Sequence, residues 1–458
     1  MSAESLADAI AMTAKEYGVP GMVVGVLSAG QETFAAHGVT SVQNPLPADE
    51  RTLFPIASIS KTFTATALMC LVADGKVELD APVRRYVPEL KLADEDAAAR
   101  ITVLQLLNHT AGLDWNLIGD GVDDTLEGFV AAMTALPLIA EPGTRSSYSQ
   151  AGYNLLGRVI EKVTGQPFEQ AIADLVLNPV GLQDTVFDLD DVIVRKFALG
   201  YNRDEDGALR VAKPWKAVRG SARGNNPGGG LVSTASDVLR WARFQLGDGA
   251  GILPADVLHS MRNPTVQLRA STLGTAIGIC WFIREIDGVT TIGHGGSGNG
   301  QFAELLIVPG RDFAIVSLAN SAEGYLANQA MVRWALEHYL GLAEGNPEPV
   351  PYLHARAVEV AGRYENDAMN LDIAADGSRL TLAVGIKPEI RAASDVEMPA
   401  DYPPATIGFL SADGDGDGDE YIITDGGLAG QRGYFSRDEH GAVTGIDVAG
   451  RLFTRAVG

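Results

Sequence analysis

Cysteine is scarce in this chain. Its 458 residues hold only Cys70 and Cys280, too few for a disulfide framework, and both lie in apolar stretches where a free thiol packs as a small hydrophobe. Positive charge is also short: 35 Lys plus Arg against 58 Asp plus Glu leave a net charge of -23. Such a surface repels phosphate backbones and anionic lipid, which argues against nucleic acid or a membrane as partner. No uncharged apolar run reaches the roughly 18 residues of a membrane span. The opening M-S-A-E-S-L-A-D lacks a basic segment leading into an apolar core, so a cytoplasmic protein is expected. What is present suits a folded protein of two or three domains: 46% hydrophobic and 20% charged residues.

The pattern along the chain predicts a helix over residues 5 to 17, closed by Gly18 and Pro20, then a strand hairpin around Ala29-Gly30. Helical periodicity dominates from about 60 to 245, for example over residues 153 to 163 and 235 to 246. Strands return near 276 to 320, with a glycine-rich bend after Ile292, and a helix follows over about 322 to 341. This order predicts an α+β fold: one antiparallel sheet built from both ends of residues 1–342, flanked by helices, plus an all-helical region. Residues 343–352, with G-N-P-E-P-V-P, read as a linker. Residues 353–458 show short alternating runs between turn residues, which predicts a small all-β barrel or sandwich. That segment is acidic as well, with 9 Lys plus Arg against 18 Asp plus Glu.

Three elements carry chemistry. In Ser58-Ile59-Ser60-Lys61 the lysine returns to the serine's face of a helix, giving a nucleophile with a base beside it; taken alone, so short a tetrapeptide more often marks a helix cap and a solvated lysine. Tyr148-Ser149-Gln150 lies in a loop ahead of a helical pattern, and a phenol near a lysine ammonium is expected to have a lowered pKa and to exchange protons. In His294-Gly295-Gly296-Ser297-Gly298 the glycines let a substrate approach backbone N–H groups closely, as an oxyanion hole requires. The overlapping Gly293-x-Gly295-x-x-Gly298 matches a dinucleotide fingerprint, but a strand follows where that fingerprint needs a helix.

In this order the three elements resemble the serine β-lactamase and penicillin-binding-protein superfamily, in the branch of class C β-lactamases, DD-peptidases, D-aminopeptidases and related esterases. Supporting phrases are L-F-P-I-A-S-I-S-K, L-L-N-H-T-A-G-L and P-G-G-G-L-V-S-T-A-S-D. The β-rich C-terminal segment looks like the lipocalin-like accessory barrel of some members. The resemblance implies Ser58 as acylated nucleophile, Lys61 as its base, Tyr148 as proton donor and acceptor, and His294 as a third-motif catalytic residue. It also implies an oxyanion hole of the Ser58 and Ser297 N–H groups, with Gln150, Gly295 and Gly296 contacting substrate. No cofactor or metal is required, and the expected partner is a small ester or amide.

Two departures narrow that substrate. Gln150 stands where an Asn is common, and His294, largely neutral near pH 7, stands where a Lys is common. Both disfavour efficient β-lactam hydrolysis and point to an esterase or D-residue peptidase. An acyltransferase using the same acyl-Ser58 is the alternative; a β-lactamase or a non-catalytic penicillin-binding module comes after it. His109 reads as a histidine tying down a loop, Trp115, Asn116, Asn225, Asn226 and Pro227 as wall candidates, and Asp413, Asp415 and Asp417 as an acidic hairpin tip.

Overall fold

A computed structural model describes residues 4–115, 117, 125–204, 206–213, 215, 223–392, 401–411 and 419–456. The first helix, Leu6–Tyr17, forms where expected: the Ser5 side chain accepts from Asp8 N, and Gly18 at φ 66° ends it in the left-handed region. The hairpin Gly21–Ser28 and Gln31–Gly38 then pairs with Phe313–Ala319. Next in order come Gln301–Val308, Val289–Gly298, Phe282–Ile286, Gly274–Ile277 and Val266–Ser271, all antiparallel. This eight-stranded sheet, closed by both ends of the segment, is the predicted α+β arrangement.

Helices Leu6–Tyr17 and Gly324–Ala335 cover one face of the sheet with their apolar sides. The helical region covers the other, and at its centre runs Ser60–Ala73, buried from Ser60 to Leu71. A helix buried on every side must satisfy its hydroxyls internally. Thr62 and Thr66 donate to Ile59 O and Thr62 O, Thr64 donates to Pro227 O, and Trp241, stacked on Phe63 at 4.2 Å, donates to Thr62.

The glycine-rich run is not a bend. Strand Val289–Gly298 continues through it, and the reversal falls at Asn299-Gly300, where Gly300 takes φ 65°. Pairing with Gln301–Val308 holds the glycines extended. Its other side pairs with Phe282–Ile286 only as far as Gly293, which leaves residues 294–298 with a free edge.

Residues 362–455 form a closed barrel of eight antiparallel strands, resolving the barrel-or-sandwich alternative. Helix His354–Val360, which the alternating pattern did not suggest, buries Ala357 and Val360 in the barrel core. The acidic tip at 413–417 and the wall candidate Asn116 lie outside the described residues.

The barrel docks on the loop that carries Tyr148. Tyr148 N donates to Gly450 O at 2.8 Å, Leu452 N to Ser147 Oγ at 3.3 Å, and Asp367 N to Asp114 Oδ2 at 3.0 Å. The docking turn joins two barrel strands through Ala449 and Gly450, both at positive φ (53° and 74°), as a two-residue hairpin requires. A Cβ at Gly450 would meet Leu273 Cδ1 at 2.3 Å. Gly450→Ala is therefore expected to lower the melting temperature, through a left-handed penalty of about 1–2 kcal/mol plus the clash. Calorimetry checks this, and an unchanged transition would show that the turn is not held against Leu273.

Candidate active site

Ser58 sits in a tight turn, Ala57–Ile59, that runs directly into the buried helix. Ala57 holds φ 43°, a costly backbone for a residue with a Cβ, of the kind found where a side chain must be presented in one direction. The serine does not cap its helix. Its Oγ instead meets Lys61 Nζ at 3.3 Å and the Tyr148 hydroxyl, which is hydrogen-bonded to it. The sequence expectation that Lys61 and Tyr148 converge on Ser58 is the geometry found.

Lys61 is fully buried, and its amine has three partners: Ser58 Oγ, Gln150 Oε1 at 2.6 Å and Gly228 O at 2.6 Å. No carboxylate is among them. Burial brings its pKa down to about 7, with the Arg451 cation acting in the same direction and Cys280 in the other. A neutral amine still donates to the two oxygens it meets at 2.6 Å and turns its lone pair toward Ser58. The free-base form is thus fully accommodated.

Tyr148 departs from expectation. Burial pushes its phenol up, opposed by the Ser58 hydrogen bond and by Arg451. Desolvation outweighs both, so Tyr148 keeps its proton near neutral pH. His109 lies tilted against the ring with centroids 4.4 Å apart and accepts from Ser149 N at 3.1 Å, the loop-anchoring role read from sequence.

Gln150 also departs from expectation. It does not line the cavity at Ser58: Oε1 accepts from Lys61, and Nε2 donates to Asn154 Oδ1 at 3.0 Å and Asn225 O at 3.2 Å. The extra methylene reaches inward, so this side chain holds the base instead of touching substrate. Gly228 makes room for it, since a Cβ there would fall 2.0 Å from Gln150 Nε2. Asn225, Asn226 and Trp115 likewise stay out of the cavity wall; Asn225 braces Gln150, and Asn226 donates to Glu169.

The cavity, about 360 Å³, is lined by Ser58, Tyr148, His294, Gly295, Gly296 and Ser297, with Arg451 from the barrel. The free edge of Val289–Gly298 faces into it. A Cβ at Gly296 would lie 2.1 Å from Ile56 O; the missing side chain lets this strand press against the Ala57–Ile59 turn, bringing Ser297 to the same cavity as Ser58. His294 is neutral: burial brings its pKa down to about 3, Lys61 adds to this, and Nδ1 bonds Gly295 O at 2.7 Å. Its Nε2 has no partner among the described residues.

Arg451 was not foreseen from sequence. It lies beside Trp115 and Tyr148, 5.6 and 5.2 Å from their ring centroids, and its Nε is unpartnered among the described residues. Nothing in V-A-G-R-L marks it, because its relation to Tyr148 exists only once the barrel docks. Among the described residues no side-chain cluster suits a metal ion, and no helix is long and apolar enough to cross a membrane.

Residues 6–339 match the family model described as Beta-lactamase. The chain belongs to the β-lactamase family. It is 30% identical over 365 residues to penicillin-binding protein 4 of Amycolatopsis lactamdurans, covering 77% of this chain and 94% of that protein. It is also 30% identical over 285 residues to esterase EstB of Burkholderia gladioli, covering 55% of this chain and 71% of that protein. Among solved structures, SurE superposes with a TM-score of 0.74 at 25% identity, covering 98% of this chain and 97% of SurE, barrel included; a second SurE structure contains D-Leu.

For this family member, Gly296→Ala is expected to push the strand off the Ala57–Ile59 turn and cut turnover by about 10². Steady-state kinetics with p-nitrophenyl acetate measure it. A rate within threefold of the parent would mean that this close approach does not matter.

Proposed function

We propose that the protein is a serine hydrolase that forms an acyl-enzyme on Ser58 from a small ester or amide and releases the acyl group to water. The observation carrying this reading is a serine oxygen contacted by both a buried amine free to act as base and a phenol that keeps its proton. Lys61 takes the Ser58 proton as Oγ attacks the carbonyl. The N–H groups of Ser58 and Ser297 receive the oxyanion, Tyr148 passes its proton to the departing amine or alcohol, and the Lys61 ammonium restores it. Water then attacks the acyl-Ser58 ester by the reverse sequence of proton moves.

With His294 neutral, Arg451 becomes the cation that reads a substrate carboxylate beside the scissile bond. A D-residue substrate with such a carboxylate is supported by the D-Leu held in one SurE structure. A second reading, transfer of the acyl group to an amine or alcohol, is favoured by the barrel's apolar cover over the cavity, which includes Met369, Leu371 and Val448. Product analysis with and without acceptors separates the two.

Intact-mass analysis after exposure to a panel of esters and D-aminoacyl amides is expected to show one acyl adduct, absent in Ser58→Ala. An adduct persisting in that variant overturns the nucleophile assignment. Arg451→Met is expected to raise KM about tenfold or more for substrates bearing a carboxylate, while leaving KM for neutral esters nearly unchanged. Equal effects on both classes would remove Arg451 from carboxylate recognition.

A further inference from the structure

The two ends of the barrel differ. At one end helix His354–Val360 acts as a stopper: it buries Ala357 and Val360 in the core and is tied down by Arg356 to Asp419 at 3.2 Å and by Arg437 to Glu359. Aromatic side chains fill the barrel beneath it, with the Phe435 ring 6.2 Å from Phe409 and 5.4 Å from Tyr421. The other end meets the cavity that holds Ser58. Leu371 and Ile373 face the barrel core, so Met369, Val384 and Ile386, which alternate with them or pair across from them, share the inner face. Val448 and Phe453 face inward on the hairpin of the docking turn, and Arg451, opposite Val448, stands at the rim.

Met369, Leu371, Val384, Ile386, Val448 and Phe453 all line the same cavity as Ser58. Met369, Val384 and Ile386 stay partly exposed although they point inward, so the protein's own side chains do not fill this end. The other charged groups bordering the cavity, apart from Arg451, are engaged elsewhere. Arg284 pairs with Glu344 at 3.7 Å and donates to Leu273 O at 3.3 Å, Glu304 is hydrogen-bonded to Gln329, and Asp401 accepts from Arg391 Nη2 at 2.5 Å and from Ile386 N at 3.1 Å.

An eight-stranded barrel is just wide enough to be packed with side chains or to hold one small ligand. This one is packed at its stoppered end and unfilled at the end beside the nucleophile. Its aliphatic wall offers a polar group no partner, whereas each methylene placed there leaves water. A blind apolar space suits the part of the substrate that stays on Ser58 through both half-reactions, because the leaving group must clear the site before water attacks. We infer that the open end of the barrel receives an aliphatic chain on the acyl part of the substrate, so that the C-terminal domain selects acyl-chain length. This rests on the Ser58 acyl-enzyme reading and names the acyl group which that reading leaves open.

The test uses full-length protein and p-nitrophenyl esters running from acetate to octanoate, with Ser58 adducts read by intact mass. From acetate to octanoate, kcat/KM is expected to rise on the order of tenfold or more. Val384→Phe and Ile386→Phe put a larger side chain into the open end, and each should bring the octanoate-to-acetate ratio within about threefold of unity. Either variant carries the test if the other does not fold. A flat series, a rise that survives both variants, or a gain that follows chain length only on the alcohol side, with octyl acetate favoured over ethyl acetate, overturns the inference. Each of those results, accompanied by Ser58 adducts, leaves the nucleophile in place. The opposite failure is read with Ser58→Ala protein by ligand-observed NMR titration of N-methyloctanamide and N-methylacetamide. A preference for the longer chain that Val384→Phe removes, without an adduct in any parent sample, keeps the chain site and removes the nucleophile.

Discussion

The site depends on one desolvated amine. Lys61 lies on a helix buried from Ser60 to Leu71, and its hydrogen-bond partners among the described residues are neutral oxygens. Carrying a charge there is costly, and that cost makes the amine a base near neutral pH instead of a spectator ammonium. Much of the surrounding structure serves this arrangement: Gln150 turned inward, Gly228 stripped of a side chain, Asn154 and Asn225 bracing the glutamine. Placing a carboxylate beside Lys61 would strengthen local pairing and remove the chemistry.

The second requirement is composite construction. Ser58 comes from the helical region, the free strand edge from the sheet, and Arg451 from the barrel. The backbone of Tyr148 is fixed by Gly450 O, so the C-terminal barrel is structurally part of the environment of the Tyr148 loop and does not merely hang beside it. Arg451 also contributes electrostatically, since its charge adds to the lowering of the Lys61 pKa.

The parts of the site readable from sequence were those set by local geometry. Ser58 and Lys61 share a helix face, the glycine run marks a strand that something must approach closely, and the helix and strand periods gave the sheet and most helices. The misreadings all depend on burial or on distant partners. Tyr148 was expected to be acidified by a cation, but desolvation in the depth of the pocket lowers the Lys61 pKa and raises that of the phenol. Gln150 was expected to face substrate, and only the packing of Gly228 and Asn225 against it shows that it faces Lys61. Arg451 and Glu304 are single polar residues within otherwise ordinary strand sequence, and only the docking of two domains gives them a shared cavity.

The central claim is that the Lys61 amine is uncharged in a large fraction of molecules at neutral pH. Selective 13C labelling of lysine with NMR titration of the Lys61 Cε resonance, assigned by Lys61→Arg, measures it directly. A midpoint near 7 is the expected result. A midpoint above about 9.5, within a unit of an exposed lysine, would show that Lys61 remains a cation and cannot be the base that activates Ser58.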